Sequence, residues 1–406
     1  MNAASPACPE PVEGLPAPST AQAGAARAEI VVDLDAIRHN VATLKRRVEG
    51  RQMMAVVKAD GYGHGMVPAA RAARAGGADW LGVAVLEEAL ALRRAGDEGR
   101  ILAWLSVPGE DYGEAVGAGI ELTAYTVAEL EEISAAARRI GVVGRVQLKV
   151  DTGLSRGGAP EQMWPAVVAA AARAEHAGAV RITGVWSHFA CSDEPDHPAN
   201  ELQERAFRAA LEVAGRAGLD PEVRHLCNSA AALTRPSSWF DVVRCGIAAY
   251  GLTPIPDMSS SADLGLVPAM TVRARLALVK RVPRGSGVSY GHTYRTGKDT
   301  NVGLVPLGYG DGIPRHASSK APVHAAGKNR VIAGRVCMDQ FMLDMGDDEA
   351  AAGDAVVLFG TGEHGEPTAQ EWATACETIS YEIVTRIGGR MRRRYVGADP
   401  SRQGQQ

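Results

Sequence analysis

The chain has 406 residues, of which 46% are hydrophobic and 22% charged, and its formal net charge is −4. Because a single hydrophobic core stops growing at roughly 250–300 residues, this length predicts two domains. The weak net charge gives no reason to expect a nucleic-acid partner, and no apolar run reaches the roughly 18 residues of a membrane span.

The first 28 residues carry five prolines within their first 18 positions. They show neither the basic nor the apolar segment of a secretory signal, and their composition predicts a disordered tail. Residues 397–406 are predicted to form a second loose tail.

From about residue 50 to residue 250, short β-rich runs alternate with Ala-rich helical patterns. The predicted strands cover residues 52–58, 79–85, 100–105, 120–125, 145–150, 182–188, 223–228 and 241–247. The predicted helices include residues 86–96, 126–141 and 200–218. Near-continuous apolar strands are typical of a parallel sheet with helices on its faces. Eight of them in β-α alternation predict an α/β fold, a (β/α)8 TIM-type barrel over residues 29–262. A doubly wound sheet is the alternative, although no G-x-G-x-x-G follows the first strand.

The pattern changes after the Pro- and Ser-rich linker at residues 250–265. Polar and apolar residues then alternate within 269–282, 301–309 and 331–345. This period of two predicts a mainly antiparallel β domain over residues 263–396, interrupted by one helix at 368–377.

Six cysteines are scattered through the chain without a C-x-x-C pair. This favours reduced thiols and a cytoplasmic protein over a disulfide framework or a zinc site. Residues 188–197 contain two histidines and two aspartates, but their spacing matches no known metal motif, and we expect no metal site.

Polar residues fall where the predicted barrel strands end. They are Lys58 after the first strand, Lys149 and the following Arg156 after the fifth, His188 after the sixth, Asn228 and Ser229 after the seventh, and Arg244, Gly246 and Ile247 in or after the eighth. Chemistry sits at this end of such barrels, and a phosphate commonly binds the loops after strands seven and eight. A lysine amine facing a phosphate site suggests a covalent bond to a phosphorylated aldehyde, for which pyridoxal phosphate is the obvious candidate.

Each of these residues also has a structural interpretation. Lys58 taken alone reads as a solvated strand-end lysine, Ser229 as a helix N-cap, and His188 as a core histidine with satisfied hydrogen bonds. Arg244 is harder to dismiss, because a guanidinium in an apolar strand needs partners. The coincidence at five strand ends favours a functional site.

Four segments make the resemblance specific: "AVVKADGYGHG" (55–65), "VSYGHTY" (288–294), "RVCMDQ" (335–340) and "ISYEI" (379–383). Together they resemble the alanine racemases, which are fold-type III pyridoxal phosphate enzymes, and the likeness covers roughly residues 29–396. The resemblance implies a (β/α)8 barrel, a C-terminal β domain and a head-to-tail homodimer. In that dimer each active site borrows residues from the partner's C-terminal domain.

The resemblance also implies roles for individual residues. Lys58 bonds the cofactor covalently and is one catalytic base, and Tyr290 of the other subunit is the second. The cofactor-binding residues are Lys58, Tyr62, Arg156, His188, Asn228, Ser229, Arg244, Gly246, Ile247 and Tyr381. Within that set, Tyr62, Ser229, Gly246, Ile247 and Tyr381 hold the phosphate, and Arg244 contacts the pyridine nitrogen. Arg156 and the Met338 backbone N–H approach the substrate carboxylate. Lys149 matches a lysine that is often carbamylated, and Asp193, Tyr309, Arg335 and Asp339 match residues of the substrate corridor.

The function implied is the interconversion of L- and D-alanine by two bases, which supplies D-alanine for peptidoglycan. The main alternative is a racemase of another or broader range of amino acids, such as serine. A non-enzymatic pyridoxal phosphate carrier would lack the C-terminal domain. A basic-amino-acid decarboxylase of the same fold type would place an acidic residue, not Arg244, at the ring nitrogen.

Overall fold

The computed structural model describes residues 26–397, so residues 1–25 and 398–406 of the two predicted tails lie outside the described residues. The first strand, β1 Ala28–Asp33, begins at the last residue of the predicted N-terminal tail. Eight parallel strands follow: β2 Gln52–Val56, β3 Trp80–Val83, β4 Arg100–Ala103, β5 Glu121–Ala124, β6 Gly144–Lys149, β7 Val180–Trp186, β8 Val223–His225 and β9 Val242–Cys245.

These eight strands follow chain order around the sheet, with β9 beside β2. The remaining gap between β8 and β9 is bridged by two backbone hydrogen bonds, from Asp241 N to Arg224 O at 3.0 Å and from Arg244 N to Cys227 O at 3.2 Å. The predicted (β/α)8 barrel is therefore confirmed, and the doubly wound alternative is wrong because the sheet closes on itself.

Helices connect the strands: α1 Leu34–Arg47, α2 Lys58–Tyr62, α3 Met66–Ala75, α4 Leu86–Arg94, α5 Gly113–Gly117, α6 Val127–Ile140, α7 Trp164–His176, α8 Pro198–Arg216 and α9 Ser229–Thr234. Local sequence sets their ends, as α6 illustrates. The Thr126 hydroxyl accepts from Glu129 N, and the Glu129 carboxylate accepts from Thr126 N. Gly141, at a φ of 72°, ends the helix in the left-handed conformation that glycine adopts without strain.

The C-terminal domain is built from β10 Met270–Arg275, β11 Leu278–Val282, β12 Gly287–Val288, β13 Tyr294–Arg295, β14 Thr300–Val305, β15 Pro322–Ala325, β16 Lys328–Val331, β17 Phe341–Gly346, β18 Ala355–Phe359 and β19 Arg392–Val396. Two helices interrupt it, α10 Ala369–Ala375 and α11 Ser380–Arg386. Its larger sheet has the order β16-β15-β18-β10-β1-β19, and a second sheet has the order β11-β14-β17. Since only the β1–β19 pair is parallel in these two sheets, the predicted mainly antiparallel domain is confirmed.

Four details differ from the sequence prediction. Strand β1, assigned to the barrel by the boundary at residue 29, pairs with β10 and β19 of the C-terminal sheet. Its alternating burial fits an antiparallel sheet with one covered face better than a barrel strand. The alternating run 269–282 breaks into two strands, and within the run 331–345 only Val331 and residues 341–345 lie in strands. Helix α11 was not predicted, because its seven residues are too few to show a helical pattern of apolar positions.

Candidate active site

The carboxyl ends of the barrel strands open into a cavity of about 840 Å³. It brings together the predicted barrel residues Lys58, Tyr62, Lys149, Arg156, His188, Asn228, Ser229, Arg244, Gly246 and Ile247, and also Tyr381 from α11. Three aromatic residues that the sequence analysis did not single out, Trp104, Tyr125 and Trp186, complete the wall. They were missed because an aromatic residue inside an apolar strand is typical of a core position.

Lys58 lies two residues beyond the end of β2, and its Nζ lies 5.8 Å from the centroid of the Trp104 ring. Burial lowers the pKa of its amine, and the nearby charges of Arg156 and Arg244 lower it further, against the opposing effect of Glu88. A lowered pKa leaves more of the amine uncharged near neutrality. The uncharged form is the one that acts as a nucleophile or a base.

Lys149, at the end of β6, is buried at 5% exposure. Its Nζ lies 4.4 Å from the Trp186 ring centroid and 5.4 Å from that of Tyr125. Burial, followed by the charges of Arg244 and Arg156, lowers the pKa of this amine to about 7. A substantial fraction of Lys149 is therefore an uncharged amine at neutral pH.

Arg244 is buried in β9 and satisfies its guanidinium with neutral acceptors. Nη1 donates to His225 Nδ1 at 2.9 Å, and Nη2 donates to His188 Nδ1 at 3.0 Å and to the carbonyls of Ser187 (2.9 Å) and Leu226 (3.0 Å). Burial lowers the pKa of Arg244 to about 10, so it stays protonated at neutral pH. Burial and the charge of Arg244 also lower the pKa values of both imidazoles, which keeps them neutral and able to accept.

A chain of buried hydrogen bonds continues from Arg244 through the barrel interior. Because His225 Nδ1 accepts from Arg244, its Nε2–H donates to Gln147 Oε1 at 2.6 Å. Gln147 Nε2 donates to Glu121 Oε2 at 2.8 Å, and the Glu121 carboxylate also accepts from Arg100 at 2.7 Å. The donors therefore all point toward one carboxylate. We call this chain of hydrogen bonds the relay. It was not predicted from the sequence, although isolated polar residues inside apolar strands were its signal.

Tyr62 and Gly246 form another part of the cavity wall. Gly246 N donates to the Ser229 hydroxyl at 2.9 Å, and a Cβ on Gly246 would lie 2.3 Å from Tyr62 Oη. The Tyr62 ring packs 5.0 Å from that of Tyr250 and 6.2 Å from that of Tyr381, between centroids. Asn228 caps α9 by accepting from Ala231 N, so Asn228 and not Ser229 is the N-cap residue.

The short segment α2 is a left-handed turn rather than an ordinary right-handed helix. Five consecutive residues have positive φ: Ala59 (52°), Asp60 (52°), Gly61 (62°), Tyr62 (52°) and Gly63 (81°). Each non-glycine residue in this region costs roughly 1–2 kcal/mol, so surrounding contacts must hold the turn.

His64 lies immediately beyond this turn. Its Nδ1 donates to the carbonyls of Gly61 at 3.0 Å and Tyr62 at 2.9 Å. Its ring stacks on that of Tyr250 at 4.5 Å, and burial lowers its pKa to about 4. This neutral imidazole supports the turn and does not line the cavity.

The loop after β6 presents Arg156 to the cavity. The Asp151 carboxylate accepts from the backbone N–H groups of Gly153, Leu154 and Ser155, at 2.9, 3.1 and 3.2 Å. Ser155 has a φ of 55°, which turns the chain just before Arg156. The position of this guanidinium is thus set by a carboxylate that holds three successive amides.

The remaining predicted residues form a second group on the C-terminal domain, which we call the C-terminal patch: Tyr290, Tyr309, Arg335, Met338 and Asp339. Backbone contacts hold them together, including Gly310 N to Met338 O at 2.9 Å and Tyr309 N to Cys337 O at 3.1 Å. The Asp339 carboxylate pairs with Arg390 at 2.7 Å. The cavity around Lys58 is not lined by any residue of this patch within residues 26–397. Asp193 lies near the barrel cavity instead, where its charge helps to raise the pKa of Tyr381, chiefly raised by burial.

The structure offers no alternative centre of metal chemistry over residues 26–397, where no group of three or more His, Cys, Asp or Glu side chains is arranged to hold an ion. Over the same range, none of the helices has the length and apolar character required to cross a membrane. The five cysteines in this part of the chain carry free thiols.

The fold and the cavity define a (β/α)8 barrel protein in which the Lys58 amine lies among basic and aromatic side chains, a setting that suits an anionic ligand. Models of the N-terminal and C-terminal domains of alanine racemase match residues 32–254 and 269–395. The chain is 59% identical to the alanine racemase of Thermobifida fusca (strain YX), covering 91% of this chain and 98% of that one. The crystal structure of alanine racemase from D-cycloserine producing Streptomyces lavendulae superposes with a TM-score of 0.91 at 54% identity, covering 92% of this chain and 97% of that one. Alanine racemase from Streptomyces coelicolor A3(2) gives a TM-score of 0.90 at 55% identity, with coverage of 92% and 98%. The chain belongs to the alanine racemase family.

Proposed function

We propose that this chain interconverts L- and D-alanine with pyridoxal phosphate bound in the barrel cavity. The observation that carries the proposal is the placement of the Lys58 amine and the protonated Arg244 guanidinium in one cavity, in a chain of this family. The amine suits covalent attachment of an aldehyde, and the guanidinium suits a ring nitrogen that only accepts a hydrogen bond.

The residues present fit this cofactor. The cavity is lined by the basic side chains of Lys58, Lys149, Arg156, Arg244 and Arg386, against the single carboxylate of Glu382. This excess of positive charge suits a phosphate, a phenolic oxygen and a substrate carboxylate. Gly246 has no side chain and lies beside the hydroxyls of Tyr62 and Ser229, so a phosphate could approach its backbone closely.

The cofactor contacts are assigned on that basis. Lys58 would bond the aldehyde carbon, and Arg244 would donate to the ring nitrogen. The phosphate would be held by Tyr62, Ser229, Tyr381 and the backbone of Gly246 and Ile247, with His188, Asn228 and Arg156 completing the shell.

Inversion at Cα requires a proton to leave one face of the substrate and another to arrive on the opposite face. Bound pyridoxal phosphate withdraws electrons from the Cα–H bond and makes its proton removable. Once the substrate amine has replaced it on the cofactor, the Lys58 amine, whose pKa is lowered by burial, would act as the base on the D-alanine face. The phenol of Tyr290 of the partner subunit acts on the L-alanine face. Arg244 donates hydrogen bonds without releasing a proton, because its pKa remains at about 10.

A homodimer would complete each cavity with the C-terminal patch of the other copy. Tyr290 is 70% exposed and Met338 is 55% exposed in the single chain. Neighbouring large side chains with this exposure are typical of a surface that another molecule covers. In the dimer, Tyr290 would reach the cavity beside Lys58, and the Met338 N–H would face the substrate carboxylate. Asp193, Tyr309, Arg335 and Asp339 would line the corridor.

Two finer assignments belong to the same proposal. The uncharged fraction of Lys149 would react with carbon dioxide, and the resulting carbamate would pair with Arg156. The free thiols support a cytoplasmic location, where D-alanine would serve peptidoglycan synthesis.

The test is a coupled assay of D-amino-acid formation from a panel of L-amino acids by the purified holoenzyme. We expect the highest kcat/KM with L-alanine and lower values with L-serine and with basic amino acids. A higher value with serine would replace the proposal by the alternative of a broader or serine-directed racemase. Treatment with borohydride should link the cofactor covalently to the wild-type chain and not to the Lys58→Ala variant.

A further inference from the structure

The strained left-handed turn from Ala59 to Gly63 joins two parts of the proposed active site. Lys58 precedes it, and Tyr62 within it presents its hydroxyl beside Gly246. Any change in this turn would therefore move the reactive amine and the proposed phosphate ligand together. The contacts that hold the turn are accordingly of functional interest.

Two of these contacts come from the barrel itself. Glu88 accepts from Ala59 N at 2.6 Å through one carboxylate oxygen and from Ala84 N at 2.9 Å through the other. Asp60 Oδ1 accepts from Met66 N at 2.9 Å, which ties the turn to the start of α3.

A third contact comes from the C-terminal domain. Arg393, on β19, donates from Nε to Gly63 O at 2.8 Å and pairs through Nη2 with Asp60 Oδ2 at 2.8 Å. The Arg393 side chain is 29% exposed. One guanidinium thus holds both ends of the left-handed segment, in the forked geometry that lysine does not offer.

Strand alternation explains why Arg393 faces the barrel while its neighbour does not. Side chains two apart on β19 lie on the same face, and a Cβ on Gly65 would lie 2.1 Å from Tyr395 Oη, so residues 393 and 395 both contact this segment. Arg394 lies on the opposite face and pairs with Glu29 at 3.2 Å. The chain therefore supplies a matched control one residue away.

We propose that Arg393 is a positioning residue through which the C-terminal domain sets the conformation of the Lys58–Tyr62 turn. The inference rests on the proposed function for its effect on the cofactor, while its effect on the turn stands alone. Removal of Arg393 leaves Gly63 O and Asp60 Oδ2 without this partner, and the left-handed residues relax toward ordinary backbone conformations. The amine of Lys58 and the hydroxyl of Tyr62 then lose their fixed separation.

The test compares holoenzymes of wild type, Arg393→Ala, Arg393→Lys and the control Arg394→Ala. In Arg393→Ala we expect pyridoxal phosphate to bind about tenfold more weakly, which corresponds to about 1.4 kcal/mol. The measurements are retention of the cofactor on dialysis and titration of the cofactor-free protein with pyridoxal phosphate. We expect faster amide hydrogen exchange within residues 59–65. Arg393→Lys should recover only part of both properties, and Arg394→Ala should match wild type in both.

Several results would overturn the inference: unchanged exchange at residues 59–65 in Arg393→Ala, or equal effects in Arg394→Ala and Arg393→Ala. If Arg393→Ala does not fold, Asp60→Asn decides, because it removes the ion pair and leaves the bond to Gly63 O. Asp60→Asn should then speed exchange in the turn, and wild-type exchange would refute the role. A wild-type protein that binds no pyridoxal phosphate would refute the proposed function, and the exchange comparison would still decide the role of Arg393.

Discussion

Gly246→Ala probes the proposed phosphate end of the cavity with a single added methyl group. The new Cβ would lie 2.3 Å from Tyr62 Oη and 3.0 Å from its Cζ, whereas such atoms pack at about 3.5 Å. The phenol would have to move by about 1 Å, against Tyr250, whose ring lies 5.0 Å from it between centroids. Overpacking of this kind costs about 1–3 kcal/mol. Loss of one hydrogen bond to a charged group would weaken pyridoxal phosphate binding by about 10- to 100-fold.

The assay is titration of the variant with pyridoxal phosphate, combined with urea denaturation of wild type and variant. Gly215→Ala is the control, since its Cβ meets no atom within 4 Å and it lies in helix α8, so it should bind like wild type and gain about 0.5–1 kcal/mol in stability. Wild-type cofactor affinity in Gly246→Ala would refute the assignment of Tyr62 and Gly246 to the phosphate.

Three further predictions follow from the geometry. When inactive Lys58→Ala and Tyr290→Phe homodimers are mixed and allowed to exchange subunits, about a quarter of the wild-type rate should return. About half of the dimers are then mixed, and each mixed dimer has one intact site of two. No recovery of activity would contradict shared active sites. Gln147→Leu leaves His225 Nε2–H without its acceptor, so the free energy of unfolding in urea should fall by about 1–3 kcal/mol, and an unchanged value would contradict the relay. In carbon dioxide-free buffer, the stability of wild type relative to Lys149→Met should rise with pH above about 7, by up to about 1.4 kcal/mol per pH unit. The unfolded lysine holds its proton up to about 10.5 while the folded one has lost it, and a flat difference in urea titrations would refute the lowered pKa.

The barrel could be predicted from the sequence because its strands are apolar on both faces and its helices carry local end signals. All eight predicted strands are present, with ends that differ by a few residues. Strand β1 could not be assigned, because its partners β10 and β19 lie more than 230 residues away in the chain and pairing is a tertiary property. The run 331–345 alternates like a strand, yet residues 332–340 turn to place Arg335 and Met338 on the C-terminal patch.

The candidate site was predictable to the extent that strand ends converge in a barrel. Lys58, Lys149, His188, Ser229 and Arg244 follow from that rule alone, and the structure places them around one cavity. Tyr290 and Met338 could not follow from it, because they lie on the C-terminal domain and not at a barrel strand end. The left-handed φ values at Ala59, Asp60 and Tyr62 could not be predicted either, since Ala and Tyr rarely adopt that conformation and the turn is held by contacts with Glu88, His64 and Arg393.

The relay behind Arg244 explains how a buried guanidinium keeps its charge without a carboxylate directly against it. Its hydrogen-bond partners are two neutral imidazoles and two carbonyls, so its positive charge is left available to the cavity. The carboxylate of the relay, Glu121, is separated from Arg244 by the side chains of Gln147 and His225. It accepts from Gln147, whose Oε1 then accepts from His225 Nε2–H, and this leaves His225 Nδ1 as the acceptor for Arg244. A carboxylate placed directly on Arg244 would raise its pKa but neutralise its field, and it would compete for the donors that the proposed ring nitrogen requires. Separating the carboxylate from the guanidinium by His225 and Gln147 lets the protein orient Arg244 and still present a net positive donor to the cavity.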